Sequence, residues 1–551
     1  MLLRRLPFLA LILSCAPAFA QVSASIPPDV RKAMDQLAKE PFRAHMAFLS
    51  DDLLEGRGTG TRGQELAARY IAAQFETLGL EPAGAAGTFY QRVPLREITV
   101  VPEKCSVVLT ENGNSTSLIW GDDFITGGNA SNEDAEVEAP VVFVGYGVTT
   151  PDGSYDDYAG ADVKGKIIAY LSGAPPSLPS ELRAHVGSGL EKARLAVAHG
   201  AIGIIGVRPP QADEILPWTR SVIGVRFPSM RWLGPDSQPS DTFPQIRASA
   251  GLSTPASARL FQHAPKSWNQ VLKDAAASKP QSFALPITAK IHVVSQHRQI
   301  SSPNVAAVLP GSDASLKNEY VVYSAHSDHL GIGTPINGDS IYNGAFDNAS
   351  GVAALLVIAQ AFKSLPHPPA RSIMFLATTA EEKGLLGADY FAEFPTVPRK
   401  SLVADLNMDG ASVFYAFDEV VALGGPSSSL GGLVERDALL LGVKLIPDPQ
   451  PEQFGFVRND EYSFVRRGVP AVSLEEGFHA KDPKVDGKKL ADDYIRLHYH
   501  APSDDMSQHF DFNASVQFMQ INFLVGYDVA QSPQRPTWNS SDFFGKTFGN
   551  R

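Results

Sequence analysis

The sequence predicts an α/β fold: a mixed, mostly parallel sheet with helices on both faces. From Leu285 onward, short apolar segments rich in β-branched residues alternate with longer segments of helical periodicity. This alternation is typical of strands that form a buried, largely parallel sheet. A second observation is that carboxylates and imidazoles repeatedly stand where an apolar segment ends, and ligands bind at that edge of such sheets. The length of 551 residues exceeds what one core commonly supports, so two domains are expected.

Composition restricts the class of protein. Hydrophobic residues make up 44% of the chain and charged residues 19%, which is ordinary for a globular protein. The formal net charge of −12 argues against a nucleic-acid partner and against binding to an anionic membrane surface.

The N-terminus predicts a secretory signal peptide over residues 1–20. A basic start is followed by an apolar stretch at residues 6–13 and by the A-x-A sequence Ala18-Phe19-Ala20. The apolar stretch is far shorter than the about 20 residues of a membrane-spanning helix, so no transmembrane segment is expected. We expect a periplasmic or secreted protein. Lipid anchoring at Cys15 is a weaker alternative, because Leu13 fits a lipoprotein cleavage site poorly.

The first half of the chain contains two stretches with different patterns of predicted helices and strands. Residues 43–83 indicate two helical pieces around a glycine-rich turn, and strand-like segments follow until about residue 119. From Ala135, buried strands and a helix at 190–199 set in, whereas the proline-rich stretch 209–255 shows no convincing catalytic cluster. The expected division is residues 21–134 as the N-terminal part of a catalytic domain, 135–284 as an inserted domain and 285–551 as the catalytic domain proper.

The second half carries the regular alternation. The segments that predict strands are 319–325, 371–377, 402–408 and 469–474, and those that predict helices are 351–365 and 384–394. Their length and β-branched content distinguish the strands from buried helix.

The first polar group after a predicted strand is the pair His326 and Asp328. In an extended backbone, side chains two residues apart lie on the same face of the strand. Both side chains can therefore enter one cleft. The imidazole suits a metal ion, and the carboxylate can orient the imidazole or support the site from behind. A solvated turn is the alternative for this pair taken alone.

The adjacent pair Glu381 and Glu382 is the most informative. Two buried neighbouring carboxylates repel each other unless one binds a cation and the other can take a proton. We therefore assign Glu382 to a metal ion and Glu381 to general base. Asp347 is the natural carboxylate to bridge two metal ions, although alone it would be taken for a helix N-cap.

Two further groups complete the set. Asp409 ends an apolar run, and His500 stands before Ala-Pro-Ser-Asp504, with His498 as an alternative ligand two positions away. Oxygen and imidazole donors without thiolate suit catalytic Zn²⁺. The sequence therefore predicts a two-zinc hydrolase.

These segments resemble the M28 family of zinc aminopeptidases, which includes the bacterial leucyl-type enzymes. The matching motifs stand in family order between about Val321 and Asp505: H-x-D at 326–328, G-x-x-D-N-A-S-G at 344–351, E-E-x-G-L-x-G at 381–387, N-x-D at 407–409 and Y-H-x-x-x-D at 499–504. The resemblance implies that His326, Asp347 and Asp409 hold one zinc ion. It implies that Asp347, Glu382 and His500 hold the second, with Glu381 as base and Asp328 orienting His326.

The resemblance implies three further features. A cis peptide bond is expected between Asp347 and Asn348. Residues 135–284 resemble a β-rich protease-associated domain, which would control access rather than carry chemistry. In many relatives a Ser-Asp-His motif borders the substrate's first residue; here Asn459-Asp460-Glu461 stands in its place, so we expect Asp460 and Tyr462 to contact substrate with an altered preference.

The resulting hypothesis is an exported aminopeptidase that removes N-terminal residues from peptides with a free N-terminus, through a metal-bound hydroxide. A single-zinc glutaminyl cyclase and a carboxypeptidase-like enzyme are alternatives on the same fold. A non-catalytic binding protein is a third, disfavoured because every expected donor is present. The preferred N-terminal residue and the oligomeric state stay open.

Overall fold

The computed structural model describes residues 25–549, so the predicted signal peptide and Cys15 lie outside the described residues. The helices are α1 (Pro28–Met34), α2 (Lys39–Leu49), α3 (Arg62–Thr77), α4 (Ser180–Gly187), α5 (Gly189–Ala198), α6 (Gln211–Ile215), α7 (Trp218–Gly224), α8 (Thr254–Arg259), α9 (Trp268–Ala276), α10 (Gly351–Ser364), α11 (Leu386–Glu393), α12 (Leu430–Leu440), α13 (Glu461–Arg466), α14 (Gly487–Leu497), α15 (Phe512–Gln531) and α16 (Phe543–Phe548).

The strands, again in chain order, are β1 (Glu81–Pro82), β2 (Tyr90–Val100), β3 (Ser106–Glu111), β4 (Asn114–Ser117), β5 (Phe124–Ile125), β6 (Asp134–Val144), β7 (Ile167–Leu171), β8 (Gly203–Val207), β9 (Ser229–Trp232), β10 (Ala248–Leu252), β11 (Ser282–Leu309), β12 (Tyr320–His326), β13 (Gly331–Ile336), β14 (Asp339–Tyr342), β15 (Ser372–Thr378), β16 (Leu402–Asn407), β17 (Glu419–Leu423), β18 (Lys444–Ile446) and β19 (Ala471–Glu476).

The first sheet is mixed, with a parallel centre. Its strands run in the spatial order β9–β2–β11–β15–β12–β16–β19–β17–β18. The four central strands β15, β12, β16 and β19 are parallel, and β11 and β17 pair with them in the antiparallel sense. The predicted sheet class is confirmed.

Helices cover both faces of this sheet, as predicted. Successive residues of β12 show the alternation, because Val321 and Tyr323 belong to one core and Val322 to the other. The first core is built with α1, α2, α3, α10, α12 and α15. The opposite core is built with α4, α11, α13 and α16.

A second sheet has the order β4–β3–β11–β6–β7–β8–β10–β5, with β6, β7, β8 and β10 parallel. It draws three strands, β3 to β5, from the chain ahead of residue 135. Helices α8 and α9 pack against it, so the region expected to be β-rich combines strands with helices. The identification of residues 135–284 with a protease-associated domain stays a prediction.

Strand β11 belongs to both sheets. Its first half pairs with β6 from residue 282 to residue 294, its middle with β2, and its last five residues with β15. A single hydrogen-bonded strand of 28 residues therefore connects the two parts of the molecule.

The segment Ala345–Ser364, which contains α10, is the one described helix long and apolar enough to span a membrane, with a mean hydropathy of 1.4. It is 89% buried inside the protein, because the sheet and neighbouring helices surround it. An apolar helix of this kind is typical of the core of a large domain.

The contact between α15 and β12 predicts a strong effect of one methyl group. A Cβ atom at Gly526 would lie 1.8 Å from the hydroxyl oxygen of Tyr323, which donates to the carbonyl of Asn522 at 2.7 Å. Gly526→Ala should therefore lower the free energy of unfolding by about 2 kcal/mol or more, as overpacked cores do. Urea or thermal unfolding measures the change.

Gly432→Ala in α12 is the matched control, because a Cβ atom there meets no atom within 4 Å. It should stabilise by about 0.5–1 kcal/mol through the lower conformational freedom of alanine in the unfolded chain. Equal effects of the two substitutions would contradict the packing of α15 on β12.

Candidate active site

Three neighbouring parallel strands deliver the central side chains. His326 is the last residue of β12, Asp409 follows β16 by two residues, and Glu381 follows β15 by three. Because β15, β12 and β16 are adjacent and parallel, their carboxyl ends meet at one edge of the sheet. The predicted convergence of these side chains is observed.

Asp347 lies between two histidines that are far apart in sequence. Its Oδ1 is 3.2 Å from Nε2 of His326, and its Oδ2 is 3.3 Å from Nε2 of His500. The peptide bond from Asp347 to Asn348 is cis, as the resemblance implied. One carboxylate thus presents one oxygen to each imidazole.

Two donor groups share this carboxylate. On one side, Nε2 of His326 is 3.1 Å from Oδ1 of Asp409, and donor atoms of these two residues and Asp347 lie within 4.8 Å of one another. On the other side, Nε2 of His500 is 3.1 Å from Oε2 of Glu382. Each group combines imidazole nitrogen and carboxylate oxygen atoms, which are ligand types that suit a divalent cation such as zinc.

His329 is a member of the second group that the sequence reasoning did not assign. Its fully buried ring places Nδ1 2.6 Å from Oε1 of Glu382 and 3.9 Å from Oδ1 of Asp347. Neither ring nitrogen has hydrogen-bond geometry with any described residue. The available signal was its position directly after Asp328.

The glycine at position 344 makes room for this ring. Gly344 has a φ of +58°, and a Cβ atom there would lie 2.5 Å from Cγ of His329 and 2.1 Å from the carbonyl oxygen of Asp347. A larger residue would therefore displace the segment that carries both donor side chains.

Opposite charges dominate the electrostatics of the cluster. Burial lowers the pKa of His500, but Glu382 and Asp347 raise it more strongly, to about 9. Burial raises the pKa of Asp347, while the neighbouring imidazoles of His329, His326 and His500 bring it well below its usual value. The carboxylates thus require positive charge next to them, which protons on the imidazoles or bound cations can supply.

Glu381 differs from its neighbour Glu382. Burial raises the pKa of Glu381 well above the usual value; His326 opposes that rise, and the carboxylates of Asp409 and Glu382 add to it. The carboxylate of Glu381 is 3.8 Å from Nε2 of His326, so it stands beside the donor groups.

Asp328 acts through its main chain and through its side chain. Its main-chain carbonyl accepts a hydrogen bond from Nδ1 of His326 at 3.1 Å, so the backbone orients the imidazole. Its carboxylate accepts from the hydroxyl of Thr59 at 2.7 Å and from the main-chain N–H of Glu381 at 3.1 Å. The side chain therefore holds the turn that carries Glu381.

Comparisons with known proteins agree with this geometry. Residues 304–524 match the sequence profile of Peptidase family M28. These residues form an M28 peptidase domain. The predicted family resemblance is confirmed, and the chain carries a hydrolase domain.

Relatives of the M28 domain include the probable leucine aminopeptidase 2 of Aspergillus fumigatus, 28% identical over 232 residues that cover 40% of this chain and 43% of the relative. A probable zinc metalloprotease of Pyrenophora teres f. teres is 34% identical over 110 residues, covering 20% of this chain and 23% of that protein. The chain thus spans less than half the length of these relatives. The solved aminopeptidase from Aneurinibacillus sp. strain AM-1 has a TM-score of 0.54 at 18% identity, covering 92% of this chain and 97% of its own, which shows a shared fold.

Arg57 ties the N-terminal segment to the M28 domain. Its buried guanidinium donates to the main-chain carbonyls of Ser327 at 3.1 Å, Asn343 at 2.6 Å and Gly344 at 2.9 Å, and also to that of Leu49. Burial lowers the pKa of Arg57 to about 10. These bonds fix the two loops that carry His329 and Asp347 against each other.

Asp504 fixes the same loop of the M28 domain from the opposite side. Its carboxylate accepts the main-chain N–H groups of Phe346 at 3.0 Å and Asp347 at 3.1 Å. The hydroxyl of Tyr494 donates to it at 3.2 Å, and burial raises its pKa to about 6. This aspartate completes the Y-H-x-x-x-D motif by orienting the shared carboxylate.

A cleft of about 210 Å³ opens onto the first donor group of the M28 domain. Asp347, Glu381 and Asp409 line its inner end, and the side and outer walls carry apolar and aromatic side chains together with four charged ones. These charged residues are Asp448, Arg458, Glu475 and Glu476.

Asp460 and Tyr462 lie behind this cleft and not among its lining residues. Asp460 accepts a hydrogen bond from the hydroxyl of Thr378, and Tyr462 shares one of 2.6 Å with Nδ1 of His185. The physical reason is that α13 begins at Glu461, so this stretch turns into the core while Arg458 and Asn459 face the cleft.

The geometry distinguishes His500 from its neighbour His498. His498 is half-buried and points away from the donor groups to Ser503, with Nδ1 3.0 Å from the hydroxyl of that residue. His500→Ala should lower the amount of bound divalent metal, because one nitrogen donor of the second group is lost. Inductively coupled plasma mass spectrometry of the purified protein measures the ratio.

His498→Ala is the matched control and should keep the wild-type metal content. Loss of metal in His498→Ala, with retention in His500→Ala, would show that the two histidines had been assigned in the wrong order.

Proposed function

We propose that the protein is a di-zinc aminopeptidase that removes N-terminal residues from peptides. The observation that carries the proposal is Asp347, whose two carboxylate oxygens each lie next to a different imidazole. A carboxylate oxygen of Asp409 lies 3.1 Å from Nε2 of His326, and one of Glu382 lies 3.1 Å from Nε2 of His500. Together with Asp347 these residues form the two donor groups. The names of the sequence relatives, a leucine aminopeptidase and a zinc metalloprotease, support the reaction class and the metal.

The donor set fits zinc. Imidazole nitrogens and carboxylate oxygens without thiolate are ligands of catalytic zinc sites. Oε1 of Glu382 and both ring nitrogens of His329 are buried without a hydrogen-bond partner among the described residues, so they are available as ligands. His326, Asp347 and Asp409 would hold one ion, and Asp347, Glu382 and His500 the other, with His329 within reach. Bound zinc polarises a carbonyl oxygen and lowers the pKa of coordinated water towards neutrality.

Glu381 is the proposed general base. It lines the cleft beside both Asp347 and Asp409, and Asp328 holds its main-chain N–H. A carboxylate in this position can accept a proton from attacking water and pass it to the leaving amine. Its environment differs from that of Glu382, whose pKa falls because the imidazoles of His500 and His329 overcome the effect of burial.

The acidic cleft supports recognition of a free N-terminus. Glu475 and Glu476 line its wall, and burial raises the pKa of Glu475 to about 7, with the nearby carboxylates of Asp448 and Glu476 adding to the shift. An α-ammonium group placed among Glu381, Asp409 and these carboxylates would be stabilised by charge-assisted hydrogen bonds. A peptide with a blocked N-terminus would lose them.

Export to the periplasm or the exterior is part of the same proposal. It rests on the basic start, the apolar stretch and the A-x-A sequence of residues 1–20.

A panel of aminoacyl-p-nitroanilides, assayed with zinc, with cobalt and with a chelator, tests the proposed activity. We expect hydrolysis of unblocked substrates, loss of at least about 10²-fold with chelator, and recovery on adding zinc. Hydrolysis of N-blocked peptides in preference to unblocked ones would favour a carboxypeptidase-like enzyme. A metal content near one ion per chain, with cyclisation of N-terminal glutamine, would favour a glutaminyl cyclase.

Glu381→Gln should keep both metal ions and lose about 10²-fold or more in kcat, because the amide cannot accept the proton. Steady-state kinetics and metal analysis on the same sample separate the two effects. Near wild-type turnover in this variant would refute the assignment of the base.

A further inference from the structure

Two cavities reach the metal centre from different sides. The cleft described above contacts Asp347, Glu381 and Asp409 of the first donor group. A second cavity of about 320 Å³ contacts Glu382 and His500 of the other donor group. Tyr499 lines both, so this residue lies between the two cavities.

The two cavities carry opposite charge. The cleft has three acidic wall residues beyond the donor groups. Its one lining cation, Arg458, donates a hydrogen bond to the hydroxyl of Tyr499 at 2.6 Å. In the second cavity the charged lining residues are the donor Glu382 and two cations, Arg220 and Lys383. A chain of net charge −12 thus places two cations beside its metal centre.

Arg220 reaches the site from α7, in the stretch where the sequence showed no catalytic cluster. Its Nη2 donates to the main-chain carbonyl of His500 at 2.8 Å and to that of Tyr499. Its Nε and Nη1 donate to no described residue, so part of the guanidinium is free for another acceptor. The two bonds also fix the position of the free nitrogens relative to His500.

Lys383 follows the donor Glu382 directly in the chain. Its Nζ lies 5.6 Å from the centre of the Phe227 ring and donates to no described residue. Glu97, one of the acidic groups near it, is already paired with Arg298 at 2.9 Å. The ammonium group of Lys383 lines the second cavity and is therefore available to an anion there.

We propose that the second cavity binds the residue after the scissile bond and that Lys383 and Arg220 receive its C-terminal carboxylate. The preferred substrates are then dipeptides with a free C-terminus. This inference rests on the proposed aminopeptidase activity and adds the substrate class.

The direction of the substrate follows from the charges. The α-ammonium group belongs in the acidic cleft, so the peptide continues past the donor groups into the basic cavity. In a dipeptide, the next charged group along the chain is the C-terminal carboxylate. Lysine and arginine are suited to bind it through charge-assisted hydrogen bonds.

The walls of the cavity restrict the length of the substrate. Helix α7 and the glycines at 127 and 128, which belong to the part of the chain outside the M28 domain, line it together with His500. Its volume lies near the lower end of ligand pockets, which measure roughly 300–1,000 Å³. It therefore suits one residue better than a long peptide.

The test compares Leu-Ala, Leu-Ala-NH₂ and Leu-Asp-NH₂ as substrates of the zinc-loaded full chain. We expect kcat/KM for Leu-Ala to exceed that for Leu-Ala-NH₂ by about tenfold or more, the effect of one charge-assisted contact. Leu-Asp-NH₂ carries its carboxylate on the side chain and should behave like Leu-Ala-NH₂. Lys383→Met should bring the Leu-Ala to Leu-Ala-NH₂ ratio close to one, and Lys383→Arg should retain most of it.

Lys363→Met is the matched control, because Lys363 lies on the surface and its Nζ donates a hydrogen bond to the carbonyl of Gly79 at 3.3 Å, away from both cavities. It should keep the wild-type ratio. A wild-type ratio near one would overturn the inference whether or not Lys383→Met folds. An unchanged ratio in folded Lys383→Met, or a preference for Leu-Asp-NH₂, would also overturn it.

These outcomes separate the two levels of the proposal. Hydrolysis of Leu-Ala-NH₂ and Leu-Ala at equal rates would leave the aminopeptidase activity standing and remove only the role of the second cavity. No hydrolysis of any of the three substrates or of aminoacyl-p-nitroanilides would overturn both.

Discussion

The whole site depends on holding one carboxylate between two imidazoles. Asp347 can present an oxygen to His326 and another to His500 only if its own backbone is fixed on both sides. Asp504 binds the N–H groups of this segment, and Arg57 binds the carbonyl that precedes it. The negative charge of Asp504 and the positive charge of Arg57 thus restrain the same short loop, and the strand ends supply the remaining donor residues around it.

This arrangement explains why so many ionisable groups are buried together. Burial raises the pKa of a carboxylic acid and favours its protonated form unless positive charge lies nearby. Asp460 is an example, because burial raises its pKa to about 7. Next to imidazoles and cations the balance is reversed at Glu382 and Asp347. Glu381 retains the opposite tendency one position away, and this difference between two adjacent glutamates fits the separate roles in metal binding and proton transfer that we propose for them.

Much of the catalytic sheet could be predicted from the sequence, because β12, β15 and β16 are short and mainly apolar, and a charged residue stands two or three positions after each strand. The donors at their ends were predicted for the same reason. Strand β11 was not predicted in full, since its middle reads Gln-His-Arg-Gln and lacks the apolar alternation of a buried strand.

Contacts between distant segments were beyond reach of the sequence for another physical reason. Arg57 and Arg220 bind main-chain carbonyls, and a carbonyl carries no signature of residue type. The inward turn of Asp460 and Tyr462 depends on where α13 begins, and the ends of short helices are weakly encoded by local sequence. Burial of His329 likewise depends on the space left by Gly344 in another loop.

The shared strand has a mechanical consequence. Since β11 is hydrogen-bonded to β6 at one end and to β15 at the other, the strand is fixed in both sheets. On this side a continuous paired strand, and not a flexible linker, joins the two sheets, so a change in the angle between the sheets requires β11 to bend or twist. The stiffness of this strand would then limit how far the two sheets can turn relative to each other.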